Sequence, residues 1–129
     1  MNAPRFALVI ATTVAVATVA VGSAPAYAKS GGKVVRASSA CSSGVIKVKA
    51  KNDDGRIEAE AEVDTNRNGQ VWSVTLLDNG VAVWRGKRTT HAPSGSFSVE
   101  KRIANRAGTD VVSVRATRGS KTCSTQVSL

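Results

Sequence analysis

The sequence predicts an all-β protein: an antiparallel β-sandwich of seven or eight short strands, following a signal peptide that is cleaved. Three observations predict it. Apolar and polar residues alternate with a period of two through most of the chain beyond residue 33. Turn pairs such as Asp54-Gly55 and Asn79-Gly80 interrupt that alternation, at roughly the 8–12-residue spacing of sandwich strands. No segment carries the 3.6-residue period of a helix face. Strands without helices must bury their apolar faces against one another, and for about 100 residues that means two packed sheets.

The N-terminus sets the expected location. Arg5, an apolar run from Phe6 to Val21 and the closing Ala26-Tyr27-Ala28 have the layout of a secretory signal peptide over residues 1–28. A membrane span needs about 20 apolar residues, whereas this run is broken by Gly22-Ser23 and Pro25. No cysteine follows the cleavage point for lipid attachment, and no apolar tail closes the chain. The mature product is therefore expected to be secreted and extracellular, with no transmembrane span. Residues 29–33 form a Gly/Ser-rich flexible lead-in, and residues 34–129 form one domain.

Export gives the two cysteines their meaning. Cys41 and Cys123 are the only ones, and an oxidising compartment favours their single intramolecular disulfide. Closing a loop of that length stabilises by about 4–4.5 kcal/mol in the chain-entropy model.

The strands follow in order. Val34 to Ser38 is a short first strand. Ile46, Val48 and Ala50 alternate with Lys47, Lys49 and Lys51; after Asn52-Asp53-Asp54-Gly55, Ile57, Ala59, Ala61 and Val63 alternate with Glu58, Glu60 and Glu62. A two-residue turn at Asp54-Gly55 sets Lys51 opposite Glu58, Lys49 opposite Glu60 and Lys47 opposite Glu62. A four-residue loop shifts the pairing by two and still sets Lys opposite Glu, whereas a slip of one residue would drive these charges into the core. A second hairpin runs from Val71 to Asp78, turns at Asn79-Gly80 and returns from Val81 to Arg88. A two-residue turn there places Leu76 opposite Val83 and Thr75 opposite Trp84, with Trp72 and Trp84 on opposite faces. Thr89 to Gly95 is a loop. Ser96 to Ile103 is a strand with Phe97 and Val99 inward, and Asn105 to Asp110 is a turn. Val112, Val114 and Ala116 face inward on the next strand. Cys123, Thr125, Val127 and Leu129 share one face of the last.

The strand count, Trp72 on a middle strand, and Asn105-Arg106-Ala107-Gly108-Thr109-Asp110 before a late strand together resemble an immunoglobulin-like fold. Cys41 and Cys123 depart from it, lying near the terminal strands rather than on the central pair, and the tyrosine corner is missing. The stretch from Lys49 to Glu58, continued by Val63-Asp64-Thr65-Asn66-Arg67-Asn68-Gly69-Gln70-Val71-Trp72, resembles small secreted proteins of actinomycetes with no assigned function. That resemblance implies a fold and an address, and transfers no site residues.

Function is constrained mainly by charge. The formal net charge is +9. Residues 41–78 hold five Lys/Arg against seven Asp/Glu, while residues 79–129 hold nine against two. Such asymmetry points to an anionic partner. Arg85, Lys87, Arg88, Lys101, Arg102 and Arg106 are the candidate anion-binding residues, facing an anionic cell-envelope polymer or a lipid surface. Nucleic-acid readers interleave aromatics for stacking, and only Trp84 is available on that segment, so sequence-specific nucleic-acid recognition is not expected.

Other chemistry finds little support. Asp64-Thr65-Asn66-Arg67-Asn68-Gly69 matches the first half of a calcium loop, but its twelfth position is Thr75, where a bidentate Glu is needed. His91 is a lone loop histidine. Glu58, Glu60 and Glu62 face lysines rather than each other across a substrate. The expectation is a protein that is not an enzyme, with no cofactor and no metal: a binding or interaction module. The alternative is a small-ligand carrier or inhibitor that uses loops at one end of the sandwich, with an apolar pocket near Trp84.

Overall fold

The computed structural model describes residues 32–129; the signal peptide expected at 1–28, and the lead-in except Gly32 and Lys33, lie outside the described residues. Eight strands follow in order: β1 (Val34–Cys41), β2 (Gly44–Asp53), β3 (Arg56–Asp64), β4 (Val71–Asp78), β5 (Val81–Thr89), β6 (Ser96–Ala104), β7 (Val111–Arg118) and β8 (Lys121–Ser128). They form two four-stranded sheets, ordered β1-β2-β3-β6 and β5-β4-β7-β8, with every neighbouring pair antiparallel. The two sheets pack as a sandwich of the kind seen in immunoglobulin-like domains. β1 is a full strand, three residues longer than the sequence pattern indicates, because it pairs with β2 as far as Cys41 opposite Gly44.

The first hairpin has the register the charges demand. Asp54 (φ 48°) and Gly55 (φ 73°) both take left-handed backbone, as a two-residue turn of the primed type requires. Lys51, Lys49 and Lys47 stand opposite Glu58, Glu60 and Glu62. The apolar partners Ile46, Val48, Ala50, Ile57, Ala59, Ala61 and Val63 are all buried.

The second hairpin differs from expectation. Asn79 (φ 50°) and Gly80 (φ 79°) form the turn, and Asp78 pairs with Val81 and Leu77 with Ala82. A β-bulge then intervenes, so that Leu76 faces Trp84 and Thr75 faces Arg85. Val83 is the extra residue. Without the bulge, Arg85 and Lys87 would have stood opposite Val74 and Trp72, on the core side. The bulge turns both charges outward and brings Trp84 onto the same side as Trp72. The two tryptophans therefore share a face: Trp72 is fully buried, and Trp84 is half-buried against the core at its edge.

The core lies between the sheets. Trp72, Val74 and Leu76 of β4 and Val112, Val114 and Ala116 of β7 meet Ile46, Val48, Ile57, Val63, Phe97 and Val99 of the first sheet. One lateral edge of the sandwich is clasped by the Cys41–Cys123 disulfide, joining the end of β1 to β8 with Cα atoms 5.2 Å apart. The opposite edge lies between β5 and β6.

Candidate functional site

The outer faces of the two sheets follow from the register alone. On the first sheet one row across the strands reads Arg36, Lys49, Glu60, Glu100; a second reads Ser38, Lys47, Glu62, Ser98; a third reads Val34, Lys51, Glu58, Arg102. Positive and negative charges are matched over most of this surface. Lys49 Nζ donates to Glu60 at 2.7 Å and Lys47 Nζ to Glu62 at 3.5 Å. The hydrogen bond to Glu60 holds the Lys49 ammonium above its ordinary pKa. Glu100 stands directly opposite Glu60: hydrogen bonding with Glu58 and the charges of Glu58 and Glu60 raise its carboxyl pKa, with Lys49 opposing. A depression of about 390 Å³ on this sheet is lined by Arg36, Lys47, Lys49, Glu60 and Glu62 among others, so its wall is already paired charge.

The second sheet is different. Its outer rows read Lys87, Ser73, Thr117, Thr122 and Arg85, Thr75, Arg115, Ser124, with Leu77, Ser113 and Gln126 beyond. Arg85, Lys87 and Arg115 are exposed. The four strands carry six cations (Arg85, Lys87, Arg88, Arg115, Arg118 and Lys121) and a single carboxylate, Asp78. Asp78 is 1% exposed, so the outer face of this sheet presents cations and hydroxyls with no acid among them.

Asp78 sits at the turn end of β4, beside the equally buried Asp110. Burial pushes the Asp78 carboxyl up, the Asp110 charge and a hydrogen bond between the two carboxyls add to this, and Arg106 opposes it, its Nε lying 3.8 Å from Asp78 Oδ2. The neighbouring backbone is pinned: Val111 N donates to Asn79 Oδ1 at 2.8 Å and Asp110 exchanges backbone hydrogen bonds with Leu129.

The structure thus disperses the six basic residues singled out in the sequence. Arg85 and Lys87 lie together on the outer face of the second sheet. Arg88 and Lys101 both contact Trp84 at the lateral edge. Arg102 lies on the first sheet, 3.9 Å from Asp53 Oδ2 and donating to the Asp53 carbonyl. Arg106 is engaged by Asp78. Sequence reasoning missed Arg115, which β7 places across β4 from Arg85. The available signal was the strict alternation of Val112, Val114 and Ala116 with Ser113, Arg115 and Thr117, which puts Arg115 outward; that β7 lies beside β4 was not readable.

The remaining motifs are engaged in turns. The Asp64–Gln70 loop is locked to the Thr89–Gly95 loop. Thr65 N donates to the Gly95 carbonyl and Gly69 N to the Thr90 carbonyl, while Thr90 Oγ1 donates to the Arg67 carbonyl and accepts from Gln70 N. Asp64 Oδ1 accepts from Asn66 N at 3.2 Å. Among the described residues, no group of three or more His, Cys, Asp or Glu is placed to hold a metal ion. His91 is exposed and bridges Ser96 through its backbone. The hollow beside Trp84, about 470 Å³, is lined by Val81, Ala82, Val83, Trp84 and Arg85 of one strand, and is thus a surface feature of a single edge.

These features define a small two-sheet antiparallel sandwich domain without an obvious catalytic constellation among its described residues. No protein-family model matches the chain, and comparisons with curated proteins and with solved structures give no match either. No helix among the described residues is long and apolar enough to cross a membrane.

Proposed function

We propose that the protein is a secreted, non-catalytic binding module that presents the outer face of its second sheet to an anionic polymer or lipid surface of the cell envelope. One observation carries the reading: Arg85, Lys87 and Arg115 stand exposed on a face whose only sheet carboxylate is buried. Arg85 and Arg115 flank Thr75 from either side, so their backbones are about 9.6 Å apart, and Lys87 lies about 6.8 Å along the strand from Arg85. The hydroxyls of Ser73 and Thr75 lie between them on β4, and those of Thr117, Thr122 and Ser124 extend the rows to β8, each able to donate to an oxyanion.

Magnitude decides the type of ligand. An exposed Lys or Arg near an anionic surface contributes about 1 kcal/mol. Three such residues give about 3 kcal/mol, weaker than millimolar binding of a lone anion. A repeating polymer or a charged membrane instead holds many anions near the three cations at once, so that the summed field of the surface attracts the whole face. An acid-free face whose cations are spread over two strands fits an extended polyanion better than it fits a small ligand.

The test is binding of the mature protein to linear poly(glycerol phosphate) and, separately, to vesicles of phosphatidylglycerol or phosphatidylcholine. The expected result is salt-sensitive binding to the polymer or to the anionic vesicles, at least tenfold weaker for R85S/K87S/R115S. Equal binding by the variant, or none to either anionic probe at low salt, refutes the reading.

A further inference from the structure

The lateral edge between β5 and β6 holds a separate constellation. Trp84, Gly86 and Arg88 project toward the core side of β5, because they pair with Leu76, Val74 and Trp72. Across the gap, β6 places Lys101 on its core side, opposite Ala59. The Arg88 guanidinium carbon lies 4.8 Å from the Trp84 ring centroid, and Lys101 Nζ lies 5.5 Å from it. The two charges, one from each sheet, are thus held no more than about 10 Å apart by a shared ring. Gly86 makes room for that ring: a Cβ there would stand 2.6 Å from the indole carbon Cζ2.

The ring attracts both cations and neutralises neither, since a cation–π contact is a charge–quadrupole attraction. Their side-chain stems pack at the edge while the heads reach solvent. Among the described residues neither cation has an ion-pair partner. The neighbouring Glu100 belongs to the outer face, where it meets Glu60. On the first sheet and at the Asp78 turn, by contrast, Lys47, Lys49, Arg102 and Arg106 all have a carboxylate within reach. Arg88 and Lys101 are instead brought to one ring from two sheets; one Arg88 Nη1–H donates to the Lys87 carbonyl at 2.9 Å, and the other guanidinium N–H groups remain for a ligand.

We propose that Arg88 and Lys101, positioned by Trp84, bind one tetrahedral oxyanion, a phosphate or sulfate group, bridging the two sheets at this edge. The guanidinium offers two parallel donors to two oxygens, and the ammonium is a point charge for a third. A dianion balances both charges, where a carboxylate balances one. The site is independent of the outer face, because Arg85 and Lys87 project from the other side of β5.

Trp84 supplies the readout. Trp72 is buried, so an anion at this edge perturbs Trp84 and leaves Trp72 unchanged. Inorganic phosphate and sulfate are titrated into the mature protein, with ionic strength held constant by sodium chloride. Tryptophan emission and the two indole N–H resonances are followed. The expected result is a saturable shift of the Trp84 resonance and emission, at least tenfold weaker in R88Q/K101Q and retained in R85S/K87S/R115S. W84F should show no saturable emission change. No saturable response beyond chloride, a response confined to Trp72, or an unchanged affinity in R88Q/K101Q would overturn the assignment. The resonance measurement on the native protein stands without any variant, and circular dichroism confirms that each variant is folded.

Discussion

The two outer faces of the sandwich meet water in opposite ways. The first sheet answers its cations with acids from the adjacent strand, so its lysines serve register and leave little field outside the molecule. The second sheet has no acids on its outer face, and its cations stand among Ser and Thr hydroxyls. The lesson is that net charge locates no binding face until strand pairing is known. Lys47, Lys49 and Lys51 carry the same formal charge as Arg85, Lys87 and Arg115, and pairing alone separates the two sets.

The largest perturbation breaks the link between the sheets. Removing the disulfide in C41S/C123S releases a closure spanning 82 residues, with an expected loss of about 4.5 kcal/mol. Denaturant unfolding, compared with the native protein under non-reducing conditions, measures it. A loss under about 1 kcal/mol would mean that inter-sheet packing alone fixes the sandwich.

A smaller effect isolates the first sheet. In the row Arg36, Lys49, Glu60, Glu100, like charges are neighbours at both ends. Substituting K49E sets acid against acid and should cost about 1 kcal/mol, as directly opposed like charges do in sheets. The double exchange K49E/E60K makes the row alternate in sign. It should be at least as stable as the native protein, and its polyanion binding should be unchanged. Thermal unfolding decides this; a double variant no more stable than K49E would show that the row does not act through charge order.

The smallest effect concerns pH. Burial raises the Asp78 carboxyl above its ordinary value of 3.8, so the fold favours its protonated form. For a raised carboxyl, that stability is fully present below the unfolded value and is lost as pH rises through the folded one. Acidification through that window should therefore stabilise the native protein relative to D78N. Melting temperatures of the two proteins across the acid range give the difference. A difference that shrinks on acidification contradicts it.

Much of the fold was legible because binary pattern and turn chemistry agreed. The Lys/Glu hairpin was readable because a slip of one residue would bury its charges, and Asp54-Gly55 favours the two-residue turn over the four-residue loop that a shift of two would need. The second hairpin was not, although the clue lay in Val81-Ala82-Val83-Trp84: four apolar residues without alternation do not fit one strand face. A regular strand through that run puts Trp84 on the wrong side. The candidate faces were less legible still. Strand order decides which cations become neighbours, and the pairings β3–β6 and β4–β7 join strands distant in sequence. Nothing near Arg106 in the sequence marks it as engaged, because its partner, Asp78, approaches from another hairpin.

The central claim is that the outer face of the second sheet contacts anions through Arg85, Lys87 and Arg115. The most direct measurement is the slope of log K against log salt concentration for poly(glycerol phosphate) binding. It is compared among the native protein, R85S/K87S/R115S and the first-sheet variant K47S/K49S/K51S. Removing one cation that neutralises a phosphate lowers the slope by roughly 0.7 for a single-stranded polyanion. A reduction of about 2 is expected in the second-sheet variant, and little change in the first-sheet variant. Equal reductions in the two, or a native slope in the second-sheet variant, would contradict it.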